Sequence, residues 1–143
     1  MKAVESVLDV VMDLESGAFS DKEWRLIDIS PQTVPWSSVA GFSTRLGIEP
    51  AALLRLIGVS ERTAARRKAE GYLKPDEADR LLRVGRIYEE AARVFGAGDR
   101  AARWLNHTNP LLYDVTPLSL LDSDGGTQAV SAALGRIEFG EFA

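Results

Sequence analysis

Cysteine is missing from all 143 residues, and histidine occurs once, at His107. The first absence excludes a disulfide framework and thiolate metal sites, and the second excludes the usual zinc clusters. No metal or cofactor is therefore expected. Nor does any segment approach the roughly 18 consecutive apolar residues that a membrane span needs. The apolar start, "MKAVESVLDVVMDLESG", is interrupted by Glu5, Asp9 and Asp13, and it lacks the basic flank and unbroken run of a signal peptide. A cytoplasmic protein with no membrane partner is expected, in which the sequon at Asn106 has no role because glycosylation needs a secretory route. Long strands, repeats and low-complexity runs are lacking too.

What remains is helical. Val4, Val7, Leu8 and Val11 fall at helical spacing and predict an amphipathic helix over residues 3–14. Gly17, Pro31 and Pro35 break the next stretch, which has room for a short extended piece at "WRLIDI". A helical pattern resumes from Trp36 to Leu46 and ends at Gly47. "EPAALLRLIG" follows, with Pro50 in its first turn and Gly58 closing it. Ser60 is a natural N-cap for the next helix, Glu61 suits its first turn, and Gly71 stops it. The longest helix, "PDEADRLLRVGRIYEEAARVF", carries a stripe of Ala78, Leu81, Leu82, Gly85, Tyr88, Ala92 and Phe95 and ends at Gly96. "DRAARWL" is a short helix, Thr116 and Pro117 open "PLSLL", and Asp122 or Ser123 introduces "GGTQAVSAALGRIEFG". The fold class is all-α, with residues 1–35 as an N-terminal helix and irregular extension, 36–73 as a helix-turn-helix region and 74–143 as a helical C-terminal region.

Charge is unevenly placed. The chain carries a net −4, yet Arg62, Arg66, Arg67, Lys68 and Lys74 stand against only Glu61 and Glu70 in one short window. On a helical wheel Arg62, Thr63, Arg66 and Arg67 share one arc, while Ala64, Ala65 and Ala69 share the opposite one. The wheel predicts an alanine face packed on the preceding helix, with Lys68 snorkelling beside it, and a cationic face on display. A helix, a tight Gly58-Val59 turn and a capped basic helix follow the helix-turn-helix plan, whose second helix offers N-terminal residues to base edges in the major groove. Ser60, Arg62, Thr63, Arg66 and Arg67 are the candidate DNA readers. The plainer reading is a solvated charged face with local pairs such as Arg66 with Glu70.

No catalytic constellation emerges. "GAGDRA" superficially fits a dinucleotide fingerprint, but a long helix precedes it where a strand is needed, and helix termination accounts for Gly96. "DSDGG" opens like a calcium loop but lacks the closing glutamate, so helix capping is the better account. His107 stands alone in a polar turn, without the partners that general-base work would need. Trp24, Trp36 and Trp104 are simplest as core residues. From Asn109 onward there are five carboxylates (Asp114, Asp122, Asp124, Glu138 and Glu141) and one cation, Arg136. The ending "GRIEFGEFA" places Phe139 and Phe142 beside carboxylates, either folded back on the core or offered to a basic cleft on a partner.

Several spaced blocks, "GVSERTAARRKAEGYLKPDEADRLLRVGRIYEEAARVFG", "RWLNHTNPLL", "TPLSLLD" and "LGRIEFGEFA", together resemble the Xre/MbcA/ParS antitoxins that pair with RES-domain toxins. The resemblance runs from about Trp36 to Ala143; residues 1–35 lie outside it. It implies a homodimeric type II antitoxin with an N-terminal DNA-binding helix-turn-helix and a C-terminal toxin-binding region. Such an antitoxin would cover the active site of a NAD-consuming toxin, repress its own operon by binding operator DNA, and perform no reaction itself. By position, Trp104, Asn109, Pro110, Arg136, Glu138, Phe139, Phe142 and Ala143 become candidate toxin contacts. The residues themselves leave open a stand-alone helix-turn-helix regulator whose C-terminal half dimerises or senses a ligand.

Overall fold

Proline, glycine and short polar side chains set the helix boundaries. In the computed structural model, which describes residues 34–140, these residues punctuate six α-helices. They are α1 (Ser38–Leu46), α2 (Pro50–Leu56), α3 (Glu61–Glu70), α4 (Pro75–Phe95), α5 (Gly98–Leu105) and α6 (Asp124–Glu138). Two 3-10 turns, Pro110–Leu112 and Pro117–Asp122, lie between α5 and α6. The expected helix at residues 3–14, the extended piece at "WRLIDI" and Trp24 lie outside the described residues.

Side-chain caps begin several of these elements. Ser60 accepts the Thr63 amide (3.2 Å), Thr116 accepts the Ser119 amide (3.2 Å) and Ser123 accepts the Gly126 amide (3.0 Å). Each bond satisfies an N–H that a helix start leaves without an intrahelical partner. The pattern expected from Trp36 begins as a helix two residues later: Ser38 and Val39 donate to the carbonyls of Pro35 and Trp36, making a tighter turn first. α4 has the bounds expected from Pro75 to Phe95, but it buries more than one stripe. Val84, Ile87 and Ala91 are enclosed as well as the expected Ala78, Leu81, Leu82, Gly85, Tyr88 and Ala92, while Phe95, also expected in the stripe, is only half-buried at the helix end.

That width reflects α4's place at the centre, packed against α5 and α6 and pinned to the α2–α3 turn. Arg83 on α4 reaches Asp124 (2.6 Å) and the Leu121 carbonyl (3.1 Å), Ser131 donates to Glu90 (3.0 Å), and Arg93 lies 4.0 Å from Glu138. These links join successive positions of α4 to successive positions of α6, so the two helices run side by side in the same direction. α5 and the 3-10 turns supply the return path. Phe42, Leu46, Leu53, Ile57, Leu81, Leu105, Leu121 and Leu134 are fully enclosed in one continuous core spanning both halves of the chain. Burying one such side chain stabilises by about 1.5–3 kcal/mol.

Candidate functional site

The turn between α2 and α3 is four residues, Ile57 to Ser60. Gly58 takes a positive φ of 75°, a conformation that costs glycine little and other residues more. α4 supports this turn from below: Arg80 donates to the otherwise unpaired Ile57 carbonyl at 3.1 Å. A second clasp joins the chain ahead of α1 to the end of α3, where Trp36 donates to Gly71 (2.8 Å) and Leu73 to Val34 (3.1 Å). α3 is thereby tied before its start to α4 through the turn, and after its end to the chain ahead of α1.

Held this way, α3 presents a different face from the one its wheel predicts. Ala65 and Ala69, expected to pack inward, are exposed, and so is Lys68. Arg67, expected on display, is only 8% exposed. Its Nε donates to Glu77 at 2.8 Å and its Nη1 to Glu70 at 3.1 Å. The bond to Glu77 is the main reason its pKa stands above the ordinary arginine value; burial opposes the rise and Glu70 adds to it. Glu77 also accepts the Lys74 amide (2.9 Å), so one carboxylate fastens the start of α4 and the inner side of α3. The expected Arg66–Glu70 pair is replaced by Arg67–Glu70.

The inward side of the helix is therefore Thr63, Ala64 and Arg67, at i, i+1 and i+4, and the outward side is Arg62, Ala65, Arg66 and Ala69. A single buried charge with two carboxylates to meet rotated the assignment. The wheel treats arginine as a surface residue by default, and a charged side chain comes inside only when it is paired. Arg62 and Arg66 are exposed and make no ion pair among the described residues. Ser60 and Thr63 are occupied with the cap, the Ser60 hydroxyl donating to Thr63 Oγ1 at 3.0 Å.

The C-terminal candidates divide into three places. Trp104 is half-buried, its ring 5.6 Å from that of Phe95 at 42°, closing the α4–α5 corner. Asn109 is half-buried and organises its loop. Its side-chain oxygen accepts the Leu111 amide (2.9 Å), its amide donates to Val115 (3.0 Å), and its carbonyl accepts from Leu112 (2.9 Å) and Asp114 (3.0 Å). Pro110 is exposed beside it. Arg136, Glu138 and Phe139 lie at the end of α6, where Phe139 is 75% exposed and is not folded onto the core. Phe142 and Ala143 lie outside the described residues. The first 3-10 turn packs on α6, so the Asn109 loop and α6 belong to one surface region.

The decoys resolve into structural roles. Gly96 ends α4 at φ 76°, the Ser123 cap accounts for the start of α6, and Asp124 is paired with Arg83. His107 Nδ1 lies 2.9 Å from the Arg103 carbonyl at the end of α5. Sequence reasoning gave no role to Leu111, Tyr113 or Val115, the exposed apolar residues of the Asn109 loop. Buried Leu112 among them makes the stretch look like ordinary core sequence.

A short-turn pair of helices on α4 and a compact helical C-terminal half define a helix-turn-helix protein with an appended binding module. Two family models match the chain, with bounds that differ from the expected 36–73 and 74–143. Residues 25–86 match the Antitoxin Xre-like helix-turn-helix domain, and residues 90–140 match the Antitoxin Xre/MbcA/ParS C-terminal toxin-binding domain. The chain belongs to the Xre/MbcA/ParS antitoxin family. It is 37% identical over 90 residues to Antitoxin Xre of Photorhabdus laumondii, covering 62% of this chain and 61% of the relative. It is 34% identical over 98 residues to Antitoxin Xre of Yersinia enterocolitica, covering 66% of each. The chain thus spans about two-thirds or less of the length of these curated relatives. Its fold matches a chain in the crystal structure of the M. tuberculosis MbcT–MbcA toxin–antitoxin complex. There the TM-score is 0.55 and the identity 28%, covering 76% of this chain and 96% of that one. Among the described residues no helix is long and apolar enough to cross a membrane.

Proposed function

We propose that this protein neutralises a cognate RES-domain, NAD-consuming toxin by covering its active site, and that as a homodimer it represses its own operon through α3. The observation that carries the reading is the opposed charge of two surfaces built on one core. From Trp36 to Lys74 there are seven cations against three carboxylates, and from Asn109 to the end five carboxylates against one cation. Four of those five carboxylates, all but Glu141, lie within the span matched to a toxin-binding domain, and the solved relative of that fold comes from a toxin–antitoxin complex. A nucleotide-consuming cleft is suited to bind anions, and an acidic module is the complement that would occupy it. Inhibition would be occlusion, with no chemistry contributed by this chain.

On the other surface, an α-helix about 10–12 Å across matches a major groove about 12 Å wide. Arg62 and Arg66 are placed to meet guanine edges or phosphates there. Two copies related by a twofold axis would set their α3 helices about 34 Å apart, one turn of DNA. The test is co-purification with the RES-type product of the neighbouring reading frame, followed by NAD⁺ consumption with and without this chain. A stable complex whose activity this chain silences supports the reading. An active toxin left untouched would overturn it in favour of a stand-alone regulator.

A further inference from the structure

A tight bend lies at Leu112–Val115, where the Val115 amide donates to the Leu112 carbonyl at 3.3 Å. Its two central residues, Tyr113 and Asp114, both take positive φ, 61° and 59°. Among the described residues they are the only non-glycine residues to do so. A turn with two left-handed central residues is ordinarily built from glycine, asparagine or aspartate. Aspartate is at home there; a tyrosine with an ordinary Cβ is not. Such strain persists only where the surroundings enforce it. The enforcing groups are the buried Leu112 side chain and the four bonds of Asn109.

Among the described residues nothing offsets the cost through the tyrosine ring. Tyr113 is 80% exposed, with Leu111 at 54% and Val115 at 36% beside it. The backbone therefore holds out an aromatic ring that the described residues leave uncovered. The charge along this stretch of chain has one sign: between Asn109 and Ser123 the only charged residues are Asp114 and Asp122. Neither carboxylate makes an ion pair among the described residues. Carboxylates repel phosphate, so this is not a nucleic-acid surface. An exposed aromatic beside an uncompensated carboxylate suits a protein surface with an apolar slot and a cationic rim.

We infer that the Leu111–Val115 tip is a preformed anchor for the toxin. Tyr113 fills an apolar slot, Asp114 meets a cation at its rim, and the pair helps set which toxin is recognised. The inference rests on the toxin-binding reading of the C-terminal half, whose matched span of residues 90–140 includes the tip. The ring is presented in one orientation before contact, which reduces the ordering cost of binding.

The experiment compares full-length wild type, Tyr113→Gly and Asp114→Gly for thermal stability, self-association by sedimentation, and Kd for the toxin of the neighbouring frame made inactive by substitution. Tyr113→Gly is expected to keep or raise the Tm while weakening toxin binding by about tenfold or more. Asp114→Gly is expected to weaken it less, with a deficit that shrinks as salt is added. Wild-type Kd values in both variants would overturn the inference and leave the proposed function standing. Failure of the wild type to bind would overturn both. A Tm loss in Tyr113→Gly would assign the ring to the fold. Loss of self-association with toxin Kd unchanged would assign the tip to a second copy. Either result overturns the inference.

Discussion

Helix α3 and the Asn109–Val115 loop bring side chains to solvent by opposite means. α3 is regular, capped by Ser60 at one end and closed by Gly71 at the other, and its backbone carries no left-handed non-glycine residue. Its exposed cations, Arg62 and Arg66, sit on long side chains that keep most of their rotamers until something binds. The loop spends backbone strain of order 1 kcal/mol per left-handed residue, and its principal side chain, Tyr113, has only two torsions to fix. A mobile cationic display tolerates variation in its target and responds to salt. A strained aromatic tip fits one shape. The two surfaces are accordingly suited to different partners, one a polyanion and the other a shaped protein cleft.

The largest predicted effect separates neighbours within α3. Replacing Arg62 and Arg66 together with alanine should weaken binding to DNA from upstream of the protein's own reading frame by about 2 kcal/mol or more, with the Tm unchanged. If either contact is to phosphate, the slope of log K against log salt should also shallow by about one for that residue. Arg67→Leu should do the reverse, lowering the Tm by several degrees because Glu77 loses its buried partner, while the salt slope stays at the wild-type value wherever the fold is intact. A wild-type slope in the double variant together with a lost slope in Arg67→Leu would mean that the display face has been assigned to the wrong side of the helix.

Arg67 also marks where the sequence stopped being informative. Helix bounds were legible because they depend on local chemistry: Ser60, Pro75, Gly71 and Gly96 act where they stand. The orientation of α3 depended on a carboxylate ten residues away on another helix, Glu77, and no periodicity within α3 reports it. Several spaced blocks in the right order carried the family resemblance. The loop was opaque for a different reason. Its alternation of buried Leu112 with exposed Leu111 and Tyr113 arises from a turn without a glycine, so the residue type that usually announces left-handed backbone is missing.

Both regions begin with the same device, a side-chain oxygen accepting an amide, which allows their robustness to be compared directly. Asn109→Ala should cost about 1–2 kcal/mol, because the Leu111 amide loses its acceptor in a loop that already carries strain. Limited proteolysis should then cut between Pro110 and Val115, where the wild type resists. Ser60→Ala removes the acceptor of the Thr63 amide and should cost about 1 kcal/mol, at the lower end of that range. α3 keeps the Arg67–Glu77 bond and the clasp at Gly71, so the loss should fray its first turn without exposing a cleavage site. Equal proteolytic sensitivity in the two variants would break the contrast: the loop would then be held by its buried leucine rather than by Asn109, and its geometry would belong to the core more than to the turn.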